Sequence, residues 1–309
     1  MTRIRPSATI TFIILAMGLA WLVAIPLWLG GGLADPLSSL LISVMMYTPA
    51  VAAVIVLLVM RPVPRGERLR FLGVWPLRPA KRVVWMSVLA LFGPMLVVAA
   101  SVAVAALCGW VQLDLVNFSG FDQQLQAVTP EGVTAPPAIV MIMSQLVMIP
   151  FAAATINAVL AFGEELGWRG FLIPALRPLG TWPTLLISGA VWGVWHAPVV
   201  LLGYNFGRLD ITGVLLMTGG CIAWGVLLGW LRLRTASVWP AVFAHGALNA
   251  CGALVTLVYA AGTTFDMALV GPLGVAGWIA CAIVMVVLAL TGQLRKQPEL
   301  ARPAESKHP

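Results

Sequence analysis

The sequence contains several runs of about 20 residues that are almost entirely apolar, and these runs restrict the fold more than any other feature. A helix of roughly 20 residues crosses the hydrocarbon core of a bilayer. Inside lipid only helices and closed barrels satisfy their backbone polar groups, and these runs are too long for the alternating strands of a barrel. Hydrophobic residues make up 61% of the chain and charged residues 9%, against about 25% charged residues in a soluble domain. We therefore predict an all-α, polytopic membrane protein.

About eight transmembrane helices are predicted, and they form a single integral membrane domain over residues 1–309. The long connection at residues 109–137 is polar and is expected to be a surface loop. The functional motifs fall in a core region of about residues 138–260, and residues 293–309 form a short cytoplasmic tail. The predicted spans cover residues 8–30, 37–60, 83–108, 138–163, 184–203, 211–231, 238–259 and 270–290.

Basic residues are distributed unevenly between the two sets of loops. With eight spans, all 18 Lys and Arg residues except Arg208 fall on one side of the membrane. Lys and Arg favour cytoplasmic loops, so we predict a multi-pass plasma membrane protein with both termini in the cytoplasm. Orientation and contact with anionic membrane lipids account for the net charge of +7, and no nucleic-acid partner is predicted. The other side carries Asp35, Asp114, Asp122, Glu131, Asp210 and Asp266.

Ionisable residues inside the predicted spans are few, and each is a candidate functional residue because charge is costly in lipid. One cluster, Glu164, Glu165 and Arg169, is embedded in apolar sequence. On a helix, Glu165 and Arg169 share a face and can pair, whereas Glu164 points about 100° away and can face a cavity. The simpler alternative is that the cluster caps the cytoplasmic end of the fourth span, although one glutamate would suffice for that.

Two histidines lie within later spans. His196 ends the segment Trp192-Gly-Val-Trp-His196 in the fifth span, and His245 precedes Asn249 by four residues on one face of the seventh. A single histidine in a span is often a hydrogen-bonded packing residue. Two histidines, an amide and a spare glutamate together favour a catalytic site.

Residue counting places Glu164 near the cytoplasmic end of its span and His196 deeper in the membrane. For these side chains to meet, the fourth helix must continue past Glu164, as far as about Pro174, after a shift near Pro150. We therefore predict such an extended and displaced helix.

These side chains suit hydrolysis by an activated water molecule. A carboxylate shielded from lipid can act as a general base, and Asn and His can donate hydrogen bonds to the oxyanion that forms. No Ser or Cys nucleophile motif accompanies them. Glu164, His196 and His245 could instead hold zinc, with one position left for water, although the sequence has no His-Glu-x-x-His motif. The sequence leaves the glutamate and zinc mechanisms open.

The three elements resemble, in order and spacing, the motifs of the CPBP family, the CAAX protease and bacteriocin-processing group that is also called the Abi family. They are Glu164-Glu165-x-x-x-Arg169, an aromatic-x-x-x-His196 and His245-x-x-x-Asn249. The resemblance covers about residues 162–249. The first histidine motif of the family usually begins with Phe, and Trp192 stands there instead. We expect this difference to alter only the shape of the pocket.

This resemblance implies an intramembrane endopeptidase. Glu164 would activate water, His196 would help to hold it, and His245 with Asn249 would stabilise the oxyanion. Glu165, Arg169 and Trp192 would support the site. The family has been described as metal-dependent, so the resemblance also keeps zinc open. Eukaryotic members cleave prenylated CAAX proteins, a substrate that many bacterial members lack.

The substrate implied is a membrane-anchored protein or peptide, expected to reach the site through a cavity open to the cytoplasm. One alternative is a non-catalytic membrane scaffold or immunity protein with the same fold. Another is a transporter with a Glu and His proton relay, but such proteins more often show internal repeats, and the sequence has none.

Overall fold

The computed structural model describes residues 4–295, and helices dominate this part of the chain. The all-α polytopic fold is confirmed. Residues 296–309, most of the predicted cytoplasmic tail, lie outside the described residues, and the single-domain assignment stays a prediction. In chain order the helices are α1 (Pro6–Leu29), α2 (Ser38–Met45), α3 (Thr48–Val59), α4 (Arg68–Leu72), α5 (Ala80–Leu107), α6 (Ser119–Val128), α7 (Ala138–Ala154), α8 (Ile156–Glu165), a π-helix (Leu166–Leu172), α9 (Ile173–Leu176), α10 (Thr181–Trp195), α11 (Ala197–Val200), α12 (Ile211–Thr235), α13 (Trp239–Cys251), α14 (Met267–Val270) and α15 (Val275–Leu290).

Six helical segments of the described chain are long and apolar enough to cross a membrane, and the bent pair that begins at α7 gives a seventh. The remaining predicted span, residues 184–203, corresponds to α10 and α11. Helix α10 has 15 residues, fewer than the roughly 20 that cross a bilayer. It ends at Trp195, and α11 begins two residues later with Pro198 in its first turn, where a proline leaves no intrahelical hydrogen bond unmade. The six segments are Pro6–Leu29, Ser38–Val59, Ala80–Leu107, Ile211–Thr235, Trp239–Leu257 and Met267–Leu290.

The fourth predicted span does continue past Glu164, as expected. Helix α7 ends at Ala154, the chain bends by 44°, and helical backbone then runs through α8, the π-helix and α9. The bend lies at Thr155, and Pro150 remains inside α7. The displacement thus occurs one turn later than predicted. It places Glu164 and Glu165 at the end of α8, inside the bundle.

Glycines allow α10 and α12 to approach closely. A Cβ atom at Gly193 would lie 2.4 Å from the Thr218 Cα, and one at Gly189 would lie 2.7 Å from the Ile222 Cα. Small residues four apart are typical of closely packed membrane helices, because apolar lipid gives no hydrophobic drive for association. This packing fixes α10, which carries Trp192, against the centre of the bundle.

The loops gather into two ends of the bundle, which we call the basic end and the acidic end. The basic end contains residues 60–79, 177–180, 236–238 and 291–295, and the Val238 amide donates to the Gly73 carbonyl there. The acidic end contains residues 30–37, 108–137, 201–210 and 252–274. At that end the Trp28 indole donates to the Pro198 carbonyl over 2.8 Å, and the Asp114 amide donates to the Val258 carbonyl.

We expect Gly193→Ala to destabilise the fold, because its Cβ would overlap the backbone of α12. Overpacking of this kind costs about 1–3 kcal/mol, which thermal unfolding in detergent would report as a lower midpoint. Gly18→Ala in α1 is the control, since a Cβ there would meet nothing within 4 Å. Equal midpoints for the two variants would contradict this account of the α10–α12 contact.

Candidate active site

Three parts of the bundle bring the predicted site residues together. Helix α8 ends with Glu164 and Glu165, α10 carries Trp192 just before His196, and α13 carries His245 and Asn249. All of them except Glu165 line one cavity of about 640 Å³. The π-helix follows Glu165 directly and carries Arg169. Wide helical turns of this type occur often at functional sites.

The Glu165 carboxylate is fully buried and binds two cationic or hydrogen-donating groups. Its Oε1 atom accepts from Arg169 Nη1 over 2.7 Å and lies 2.9 Å from His245 Nδ1. The predicted Glu165–Arg169 pair is therefore confirmed, and it lies entirely inside the protein. Breaking a buried pair by removing one partner costs several kcal/mol, about 3–5. Glu165 thus joins α8 and the π-helix to α13.

Glu164 contacts a different set of groups. Its Oε2 atom accepts from Trp192 Nε1 over 2.6 Å, while its Oε1 atom accepts no hydrogen bond from the described residues. The side chain is only 2% exposed, yet it lines the cavity. One carboxylate oxygen is therefore fixed, and the other remains available to a molecule in the cavity.

His196 has its orientation set by its own helix. Its Nδ1 atom lies 2.9 Å from the Trp192 carbonyl, and a carbonyl only accepts, so Nδ1 carries the proton. The neutral ring therefore presents Nε2 as an acceptor. Trp195 packs edge-on against the ring at 4.7 Å and is itself held by a hydrogen bond to Thr48.

Trp192 has a larger role than the sequence suggested. Besides donating to Glu164, its ring lies beneath the Arg169 guanidinium, with Arg169 Cζ 4.3 Å from the ring centroid, a favourable cation–π arrangement. The ring also meets the edge of His245 at 5.3 Å. The expectation that Trp at this position alters only pocket shape was wrong, because a Phe cannot donate the bond to Glu164.

Arg232 is a supporting residue that the sequence analysis missed. It is fully buried, and its Nε and Nη2 atoms donate to the carbonyls of Arg169 and Phe71. It forms no ion pair with any described carboxylate. In the sequence, Arg232 lies near the end of a predicted span, where a basic residue is expected on the cytoplasmic side. No local pattern distinguished it from the other basic residues there. Arg232 anchors the π-helix that carries Arg169.

The cavity lies toward the acidic end of the bundle. Its walls include Ser39 of α2, Tyr204 in the loop after α11, Thr256 and Leu273. Asn249 is exposed there, unlike the buried His245 one turn earlier. We instead expected access from the basic, cytoplasmic side. The bend at Thr155 carries Glu164 inward, as predicted, but the cavity beside it is lined from the acidic end.

Zinc binding by Glu164, His196 and His245 stays a prediction. Among residues 4–295, no three His, Cys, Asp or Glu side chains come together in a way that could hold a metal ion. Glu165 and the Trp192 carbonyl contact the Nδ1 atoms of His245 and His196, and the Trp192 indole donates to one oxygen of Glu164. Contacts of this kind at Nδ1 orient metal-ligating histidines as well, so the glutamate and zinc mechanisms both stay predictions.

The two glutamates are expected to differ in their effect on stability. Glu165→Gln removes the carboxylate that Arg169 faces and should lower stability by about 3–5 kcal/mol, because it leaves a buried charge without its partner. Glu164→Gln is the control, since its partner Trp192 is neutral and the smaller loss is about 1–3 kcal/mol. Thermal unfolding of both variants in detergent measures the difference, and equal stability would contradict the assignment of Glu165 as the structural carboxylate.

Comparison with known proteins identifies a family over the part of the chain that contains this site. Residues 138–251 match the Rce1-like family, described as type II CAAX prenyl endopeptidase Rce1-like. The matched segment includes Glu164, Glu165, Arg169, His196 and Asn249. A comparison with curated proteins gives no match to the chain. This match confirms the resemblance to the CAAX protease group that the three motifs indicated.

Proposed function

We propose that this protein is an intramembrane endopeptidase that hydrolyses a peptide bond of a membrane-anchored protein or peptide. One observation carries the proposal: the buried Glu164 has one oxygen fixed by Trp192 and the other free beside a cavity that His196, His245 and Asn249 also line. The family match supports hydrolysis of a protein substrate. We place the protein in the plasma membrane with both termini in the cytoplasm, because its basic residues concentrate at one end.

In the proposed reaction, Glu164 acts as general base. Its free oxygen takes a proton from a water molecule as the water oxygen attacks the carbonyl carbon of the scissile peptide. The carbonyl electrons move to the oxygen, which becomes an oxyanion. When this intermediate collapses, the C–N bond breaks and Glu164 returns the proton to the leaving nitrogen. A positioned carboxylate can perform both transfers, and the fixed Oε2 keeps the other oxygen aimed at the cavity.

His196 would hold the water molecule in this scheme. Its Nδ1 proton is engaged by the Trp192 carbonyl, so Nε2 can accept a hydrogen bond from water. This bond would leave the second water hydrogen for Glu164. Holding the reacting groups in a fixed geometry supplies part of the rate enhancement, because less entropy is lost at the transition state.

His245 and Asn249 would stabilise the oxyanion. Glu165 accepts from His245 Nδ1 and so orients the ring, and Asn249 reaches the cavity from the next turn of α13. Donors fixed in a site shielded from water stabilise developing charge strongly.

Replacement of Glu164 tests the proposal directly. Glu164→Gln retains the shape but cannot take a proton, so we expect cleavage of a fluorogenic membrane-peptide library by detergent-purified protein to fall to background. Wild-type activity that survives a chelator would support the glutamate mechanism over zinc. Equal cleavage by both proteins would show that Glu164 is not the base. If neither protein cleaves any peptide and cells that carry Glu164→Gln still show the biological activity of the wild-type protein, the scaffold or immunity alternative is favoured.

Trp192→Phe tests the hydrogen bond to Glu164. The Phe matches the residue usual at this position in the family and keeps an aromatic wall, but the loss of a bond to a charged group costs about 1.5–3 kcal/mol. We therefore expect a rate lower by about 10- to 100-fold. Trp168→Phe is the control, because Trp168 is equally buried and its Nε1 has no hydrogen-bond partner. Similar rates for the two variants would contradict a role for the Trp192 indole.

A further inference from the structure

We infer that the substrate reaches Glu164 from the acidic end of the bundle, through an opening between α2 and α13, and that this end faces away from the cytoplasm. The substrate would then be an anchored polypeptide whose scissile bond lies in the outer half of the bilayer. The statement about substrate rests on the proposed peptidase function. The statement about which end opens rests on geometry and charge alone.

The walls of the cavity come from the acidic-end halves of the helices. Helix α2 begins at the acidic end and contributes Ser39 and Ser43, and the last turn of α13 contributes Asn249. Loop residues of the same end, Asn205 and Leu273, complete the wall. No described residue from the loops of the basic end lines this cavity. A molecule leaving Glu164 through the cavity therefore arrives at the acidic end.

The opening between α2 and α13 follows from how these helices pack. Helix α2 packs mainly on α1, whereas α13 packs on α5, α7 and α8. Ser39 of α2 and Ala253, two residues after the end of α13, are exposed, and both line the cavity. A gap flanked by two membrane helices opens toward lipid as well as toward water, so a polypeptide that is still anchored in the bilayer can enter sideways.

Charge indicates which way the acidic end faces. Every described Lys and Arg except Arg208 lies at or toward the basic end, and Arg208 forms an ion pair with Asp266. At the acidic end, hydrogen bonds from the Asn117 amide and then the Ser119 side chain lower the pKa of Asp114 to about 2, so this carboxyl is ionised at neutral pH. Basic loops favour the cytoplasm, which leaves the acidic end outside.

The lining also restricts the chemistry of the substrate. Glu164 is the only Asp, Glu, Lys or Arg among the described lining residues, and the remainder are mainly apolar or small and polar. An uncharged, largely apolar polypeptide segment fits such a wall, because a charged side chain would lose its hydration without gaining a partner. We therefore expect the cavity to bind the part of the substrate that lies where its membrane anchor leaves the lipid.

Cysteine accessibility tests the direction. In a Cys108→Ser background, which removes the exposed cysteine and leaves the buried Cys221, Cys251 and Cys281, we would introduce Ala253→Cys at the cavity mouth and Gly66→Cys at the basic end. Gly66 is exposed and has nothing within 4 Å of an added Cβ. A membrane-impermeant maleimide added to spheroplasts should label Ala253→Cys at once and Gly66→Cys only after permeabilisation. The reverse pattern, or equal labelling of both, would overturn the proposal.

A second measurement tests the route itself. After modification with a bulky maleimide, purified Ala253→Cys should lose most of its cleavage of the membrane-peptide library, whereas modified Gly66→Cys should retain it. Retained cleavage by modified Ala253→Cys would exclude this opening as the route. If unmodified protein cleaves nothing, the peptidase function fails, but the labelling pattern still decides which end opens.

Discussion

The buried Glu165 carboxylate is the interaction on which the site depends. It faces Arg169 from the π-helix and His245 from α13, and so ties the end of α8 to two other parts of the bundle. Arg232 supports the same arrangement from α12 by donating to the Arg169 carbonyl. A charge inside a membrane protein is costly unless it is paired. Because the pairing is complete only when these elements meet, it couples assembly of the bundle to assembly of the site.

The adjacent residues Glu164 and Glu165 have different roles because they have different hydrogen-bond partners. Glu165 has a guanidinium and an imidazole, lies outside the cavity lining and suits a structural role. Glu164 has a single indole donor and lines the cavity, so one of its oxygens can take a proton. Trp192 contacts both Glu164 and the Glu165–Arg169 ion pair, since its indole donates to Glu164 while its ring lies beneath Arg169. The same cluster thus contains a rigid ion pair and a reactive carboxylate one residue apart.

Much of this arrangement could be predicted from the sequence, because the relevant patterns are local. Apolar runs predicted membrane helices, and the spacing of Glu165 and Arg169 predicted their pairing. The resemblance brought Glu164, His196 and His245 to one site. The π-helix, the contacts of Arg232 and the hydrogen bond from Trp192 depend on distant segments, and no local pattern encodes them. The side on which the cavity opens also escaped prediction, because its lining comes from segments that are distant in sequence, α2 and the loops at residues 201–210 and 252–274.

The central claim is that Glu164 activates a water molecule which attacks the substrate directly. A single turnover in water enriched in heavy oxygen, followed by mass spectrometry of both the product and the enzyme, tests it most directly. The account predicts heavy oxygen in the new carboxyl terminus of the cleaved peptide and none in the Glu164 side chain. Heavy oxygen in the Glu164 carboxylate after that turnover would show that Glu164 bonds covalently to the substrate, and would contradict the account.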